Sequence, residues 1–133
     1  MLQLIDRSED LVVAALPHDV DFFTSADVRA AGERLLSDGC RYLVLDSSPV
    51  TYMDSSGITA LLAFRQRLED AGGALIMAVP DEHLRRRLGI LGLDTVLVIT
   101  VTLDEAITHA RRLRDTTRSF LSAHHSTAET KSA

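Results

Sequence analysis

Three short, nearly continuous apolar runs, Arg41–Asp46, Ala74–Val79 and Val96–Val101, are separated from one another by helical segments. That alternation constrains the chain more than any other feature. Runs of this length and composition suit strands buried on both faces, and such strands occur in parallel sheets whose crossover helices cover them. Ahead of them, Leu2–Ile5 and Leu11–Leu16 flank a polar Arg7-Ser8-Glu9-Asp10 turn and read as a hairpin at one edge of the sheet. The expected architecture is α/β, a mostly parallel mixed sheet with an N-terminal hairpin, in the order ββαβαβαβα with about four helices packed on it.

The helices carry their own punctuation. Thr24 with Asp27 three residues on marks the start of the first, Phe23 and Val28 stand at the two positions of a hydrophobic staple, and Gly39 ends it. In the second, Ile58, Leu61, Leu62, Phe64 and Leu68 form one apolar stripe, and Gly72-Gly73 stops the helix. The third follows Pro80-Asp81 and is expected to bury Leu84, Leu88 and Leu91 before Gly92. The last opens on a Thr102-x-x-Glu105 capping box and buries Leu103, Ala106, Ile107, Ala110 and Leu113. Beyond Asp115 the chain becomes polar and rich in Ser and Thr. The expected organisation is therefore one domain over residues 1–115 and a disordered polar tail over 116–133.

With 133 residues and 46% hydrophobic content, such a domain has enough core to fold without disulfides or a structural metal. The single cysteine, Cys40, excludes a disulfide framework and a thiolate metal cluster. No leader-like segment and no apolar run of about 20 residues is present, so a soluble cytoplasmic protein without membrane insertion is expected. The net charge of −5 argues against nucleic acid as a partner. Acidity concentrates early, with ten acids against four arginines in residues 1–54. Arg85-Arg86-Arg87 is the obvious counter-evidence, but three consecutive helical residues fan around a helix rather than form a stripe.

The chemistry concentrates at the second strand-to-helix junction. In Tyr52-Met53-Asp54-Ser55-Ser56-Gly57-Ile58 two hydroxyls follow an acid where an amphipathic helix begins. A helix N-terminus tolerates added negative charge, and a partner can reach it. If the second and third strands are parallel, the segments after Leu16 and Asp46 leave the sheet at one carboxyl edge, so that Asp19, Asp21, Asp46 and Asp54 gather near Ser55. Each aspartate alone serves equally well as a turn former or cap. Because Phe23 has the staple available, Phe22 is left as a candidate anchor for a partner.

The junction resembles the signature of the STAS family, and within it of bacterial anti-sigma factor antagonists, in which a Tyr/Phe-Met-Asp-Ser-Ser/Thr-Gly-aliphatic run opens the second helix. A second run, His18-Asp19-Val20-Asp21-Phe22-Phe23-Thr24, resembles the family's Gly-Glu-Leu-Asp-x-x-Thr at Asp21 and Thr24, with Asp19 conservative and His18 a departure. The resemblance spans roughly residues 2 to 114. It implies the STAS fold and a phosphoserine switch without catalysis or cofactor. Ser55 is then the phosphorylation site, with Ser56 better suited to capping and a secondary acceptor. Asp21, Phe22, Thr24, Asp54, Ser55, Ser56 and Gly57 form the partner-binding surface, Asp21 and Asp54 orienting the serine and contacting the kinase. The implied partners are an anti-sigma factor that is itself an ATP-using serine kinase, and a serine phosphatase that resets the switch. The implied setting is partner switching in stress response, sporulation or development.

Three other roles compete with this one. A serine hydrolase needs Gly-x-Ser-x-Gly, and Met53 stands where the first glycine belongs relative to Ser55; of the five histidines only His18 lies at the shared edge. An aspartyl-phosphate receiver with Asp46 as acceptor needs a lysine in the fold, and the sole lysine is Lys131. The third keeps the fold and changes the role: a STAS subunit of a lipid ABC transporter, or a scaffold module of a stress-signalling complex.

Overall fold

The computed structural model describes the backbone of residues 1–132 and the side chains of residues 1–122. Five strands form one sheet: β1 (Gln3–Ser8), β2 (Leu11–Ala15), β4 (Tyr42–Asp46), β6 (Ala74–Ala78) and β7 (Val98–Thr100), in the spatial order β1-β2-β4-β6-β7. β1 is antiparallel to β2 across a two-residue turn in which Glu9 takes φ 57°; the other pairs are parallel. Two further strands of two residues each, β3 (Asp19–Val20) and β5 (Tyr52–Met53), pair in parallel as a separate small sheet. The helices are α1 (Ser25–Ser37), α2 (Ser55–Asp70), α3 (Glu82–Ile90) and α4 (Leu103–Ser132), with a 3₁₀ turn at Leu93–Thr95.

The expected α/β order is present, and its physical basis is visible in how the strands divide their side chains. Val12, Ala14, Leu43, Leu45, Leu75 and Met77 point to one face, where Val28, Leu61, Phe64, Leu68, Leu84 and Leu88 of α1, α2 and α3 cover them. Leu11, Val13, Tyr42, Val44, Ile76 and Ala78 point to the other, where α4 sits on Ala106 and Ala110, both fully buried. Two covered faces remove the polar alternation of a one-sided sheet, and this makes the strand runs continuously apolar. On the first face α1 and α2 pack so closely that a Cβ on Gly32 would lie 2.2 Å from the Phe64 ring, and Arg67 makes a two-pronged ion pair with Glu33 across them.

Four expectations change. The Val96–Val101 run is an edge strand of three residues, with Val98 37% exposed, because only β6 flanks it. Leu91 is the C-cap residue of α3 and is exposed rather than core. Phe23 is 86% exposed while Val28 is buried, so the pair forms no staple. The last helix does not stop at Asp115: α4 continues through the segment read as tail, and Arg118 pairs with Glu9 and Asp10 of the β1–β2 turn, an attachment to a remote turn that local composition does not reveal. The side chains of residues 123–133 lie outside the described residues. Half of the expected capping box of α4 is present: the Glu105 amide donates to Thr102 Oγ1 at 3.1 Å, while the Glu105 carboxylate accepts from the Val101 amide at 3.4 Å rather than from that of Thr102.

Candidate functional site

β2 and β4 run side by side from Leu11↔Tyr42 to Ala15↔Asp46, so the chain leaves both at one edge of the sheet. β3 and β5 then continue alongside each other, register Asp19↔Tyr52 and Val20↔Met53, and the Asp54 amide extends the ladder by donating to Val20 O at 3.2 Å. This small ladder joins the two sequence motifs. Helix α2 starts so close to it that a Cβ on Gly57 would lie 2.1 Å from Val20 O, which is why the position after the serine pair has no side chain. From α3, Arg87 Nη2 donates to Met53 O at 2.5 Å and braces β5 on its other side, where a cavity of about 180 Å³ opens between β5 and α3.

Asp54 is the N-cap of α2, in extended conformation at φ −115°, ψ −174°. Its Oδ1 accepts from the amides of Ser56 at 2.9 Å and Gly57 at 3.2 Å, while Oδ2 accepts from the Phe22 amide at 3.2 Å. Capping thus falls to Asp54 and not to Ser56, because the carboxylate one residue before the helix is in reach of the second and third helical amides. Ser55 is the first helical residue and is exposed; Ser56 is half-buried. Among the described residues neither hydroxyl has a hydrogen bond, and Ser55 takes part only through its carbonyl, which accepts from Thr59 Oγ1 at 2.8 Å.

Asp21 and Thr24 close on each other. Asp21 Oδ1 accepts from the Phe23 amide at 2.9 Å and the Thr24 amide at 3.0 Å, and Thr24 Oγ1 accepts from the Asp21 amide at 3.0 Å and donates to Asp19 O at 2.8 Å. With both polar residues turned inward onto backbone, Phe22 and Phe23 are left outside, 72% and 86% exposed, in an edge-to-face pair with centroids 5.6 Å apart.

Asp21, Asp46 and Asp54 each have hydrogen-bond partners of their own. Asp54 and Asp21 converge on the Phe22–Phe23 segment from its two ends, whereas Asp46 is occupied by its own loop, accepting from the Ser48 amide at 3.0 Å and hydroxyl at 2.9 Å. His18 also serves a loop: Nδ1 donates to Pro49 O at 2.9 Å, and its carbonyl accepts from the Thr51 amide at 2.8 Å. No group of three or more potential metal-ligating side chains occurs among the described residues. Sequence reasoning missed Phe23 and Arg87. A consecutive aromatic pair inside an Asp-x-x-Thr turn was the available signal for the first. For Arg87, the fan of Arg85, Arg86 and Arg87 gave the directions but not the destinations: Arg85 reaches Val79 O and Pro80 O, Arg86 reaches Glu82, and Arg87 reaches Met53 O.

The family model described as the STAS domain matches residues 4–106, which takes in both motifs and all but the end of the fold. The chain belongs to the STAS domain family. Among solved structures, an anti-sigma factor antagonist from Mycobacterium paratuberculosis aligns over 84% of this STAS domain protein and 93% of its own chain, with TM-score 0.69 and 26% identity. The Bacillus cell fate determinant SpoIIAA in its phosphorylated form aligns over 82% and 98%, with TM-score 0.63 and 24% identity. A sulfate transporter family protein from Wolinella succinogenes aligns over 80% and 88%, with TM-score 0.67 and 18% identity. The fold is thus similar to that of anti-sigma factor antagonists, and also to a transporter-family protein. Among the described residues of this STAS domain no helix is long and apolar enough to cross a membrane.

Proposed function

We propose that this STAS domain is an anti-sigma factor antagonist that works as a phosphoserine switch: unphosphorylated it binds an anti-sigma factor, and phosphorylated on Ser55 it releases it. The observation that carries the reading is the state of Ser55. Its side chain is exposed, has no hydrogen bond to lose among the described residues, and stands at the first position of a helix whose preceding residue is a carboxylate cap. A kinase can take it without unfolding anything. Phosphoryl transfer forms the Ser55 Oγ–P bond as the hydroxyl proton leaves to a base on the kinase, and ADP departs. The domain supplies the acceptor and the docking surface and carries out no catalysis of its own.

The surroundings support an on/off role for that phosphate. It brings about −1.5 to −2 charges next to Asp54, while the helix N-terminus returns about 0.3–1 kcal/mol. The fold tolerates this, but an interface closing over Ser55 does not, since desolvating a dianion without a cation opposite costs more than the ~1.4 kcal/mol that lowers affinity tenfold. The kinase is expected to be the anti-sigma factor itself, with a serine phosphatase resetting the switch in the cytoplasm.

The test is to incubate the protein with candidate anti-sigma kinases and ATP: wild type gains one phosphate and Ser55→Ala gains none. Mapping of the phosphate mainly to Ser56 or Thr59 overturns the assignment. The fold shared with a transporter-family protein supplies the second reading, a transporter subunit or constitutive scaffold. That reading is favoured if protein phosphorylated on Ser55 binds its partner undiminished.

A further inference from the structure

We propose that Asp54 is the joint through which phosphate on Ser55 dismantles the exposed Phe22–Phe23 pair, so that the switch withdraws a contact surface as well as adding charge. This rests on the phosphoserine reading in taking Ser55 as the modified residue and the aromatic pair as part of the surface its protein partner contacts.

The division of labour within one carboxylate carries the inference. Oδ1 of Asp54 holds the Ser56 and Gly57 amides at the start of α2, and Oδ2 holds the Phe22 amide, 32 residues away in sequence. Phe22 and Phe23 are too exposed to be fixed by packing, and their rings pair edge to face with each other. Asp21 secures the turn from Phe23 onward, and Ser25 Oγ reaches Phe22 O at 3.3 Å, but among the described residues the Phe22 amide has no acceptor other than Asp54. The aromatic pair is therefore registered against α2 by Asp54.

A phosphate on the first residue of a helix seeks the same amides that Oδ1 occupies, and as a dianion it repels the carboxylate beside it. Asp54 then yields those amides, its carboxylate turns, and Oδ2 leaves Phe22. The phosphate takes over the capping, so α2 is not weakened. What is lost is the tie between the Ser55 helix and the aromatic turn.

An asparagine at 54 separates this coupling from simple charge repulsion. Its side chain has one oxygen and caps helices well, so Asp54→Asn continues to accept from the α2 amides but has no second acceptor for Phe22. It reproduces the released aromatic pair while making the site less negative.

The measurement is solvent-exchange NMR of backbone amides on the full chain in three forms: wild type, Asp54→Asn, and protein carrying phosphoserine installed at 55 during synthesis. The Phe22 amide is expected to exchange about tenfold faster in both altered forms, with Phe23, Thr24 and the amides of β4 and β6 unchanged. A Phe22 amide as protected in the phosphoserine protein as in wild type overturns the coupling, and that comparison decides the matter if Asp54→Asn does not fold. Because the phosphate is installed without a kinase, failure of any cellular kinase to use Ser55 would overturn the functional reading while leaving this measurement intact.

Discussion

Replacing Gly57 by alanine sets two effects of opposite sign against each other. On helix propensity alone the change is favourable by about 1 kcal/mol, since Gly57 lies within the first turn of α2. Tertiary geometry opposes it. The added methyl would stand 2.1 Å from Val20 O, 2.7 Å from Val20 Cγ1 and 2.8 Å from the Val20 carbonyl carbon. Two of these three are backbone atoms of β3, which cannot rotate away, so α2 and β3 must separate by nearly 1 Å to reach the 3.0 Å at which real contacts begin. That movement stretches the Asp54 amide bond to Val20 O, already 3.2 Å, and the Phe22 bond to Asp54, also 3.2 Å. Overpacking of this kind costs about 1–3 kcal/mol and each of the two weakened hydrogen bonds about 1 kcal/mol, so after the gain in helix propensity the net expectation is a loss of about 2–4 kcal/mol. Gly89 is the control: it is also helical, but a Cβ there meets only Asp94 Oδ2 at 3.8 Å, and Gly89→Ala should raise stability by up to ~1 kcal/mol. Urea unfolding of the three proteins at one pH gives both numbers. If Gly57→Ala proves as stable as wild type, the close seating of α2 on β3 is not the reason for glycine in the motif.

The remaining predictions are more direct. Ser55→Asp should unfold within about 0.5 kcal/mol of wild type, because the hydroxyl it replaces makes no hydrogen bond, yet bind the anti-sigma factor at least tenfold more weakly by calorimetry; equal binding would place the effect in the second charge and bulk of phosphate. Phe22→Ala and Phe23→Ala should each weaken that binding with melting temperatures nearly unchanged, since both rings are solvent-exposed, whereas a stability loss of about 3 kcal/mol would mean that they are core. Ending the chain after Asp115 removes the exposed ion pairs of Arg118 with Glu9 and Asp10 and should leave a cooperative urea transition; a cooperative loss of folding would make the end of α4 part of the domain. Burial pushes the Cys40 thiol up from its ordinary 9.0 to about 11, against the pull of Arg7 and Arg41. Its protonated form is therefore favoured in the folded state: the associated stability is intact below pH 9 and falls by about 2–3 kcal/mol as pH rises toward 11, which Cys40→Ala should abolish in a pH series of urea unfolding.

What the sequence disclosed, and what it withheld, divides along one physical line. The sheet was legible because burial on both faces writes a period-free apolar run into each of β2, β4 and β6, and the helices because caps and stripes are local. The misjudged positions are those whose environment depends on distant chain. Val98 looks like a central strand residue until pairing with β6 alone, among the described residues, makes β7 an edge. Phe23 fits a staple until the turn closed by Asp21 and Thr24 points it outward. Arg118 belongs to a polar tail by composition and to the β1–β2 turn by contact.

The same line runs through the site. The motif around Ser55 was visible as a run of residue types, but its assembly depends on the pairing of β3 with β5, two strands of two residues each that no periodicity can announce. That pairing changes the meaning of the acids. Read along the chain, Asp21 and Asp54 are like charges that surround a serine. In the fold Asp21 accepts from backbone amides within its own turn and Asp54 from amides of two segments, so both are already engaged before any phosphate arrives. A dianion on Ser55 therefore competes with Asp54 for donors as well as repelling it. The consequence reaches Phe22 without any movement of the sheet, because the bonds that open all run from the Asp54 side chain to the amides of Ser56, Gly57 and Phe22.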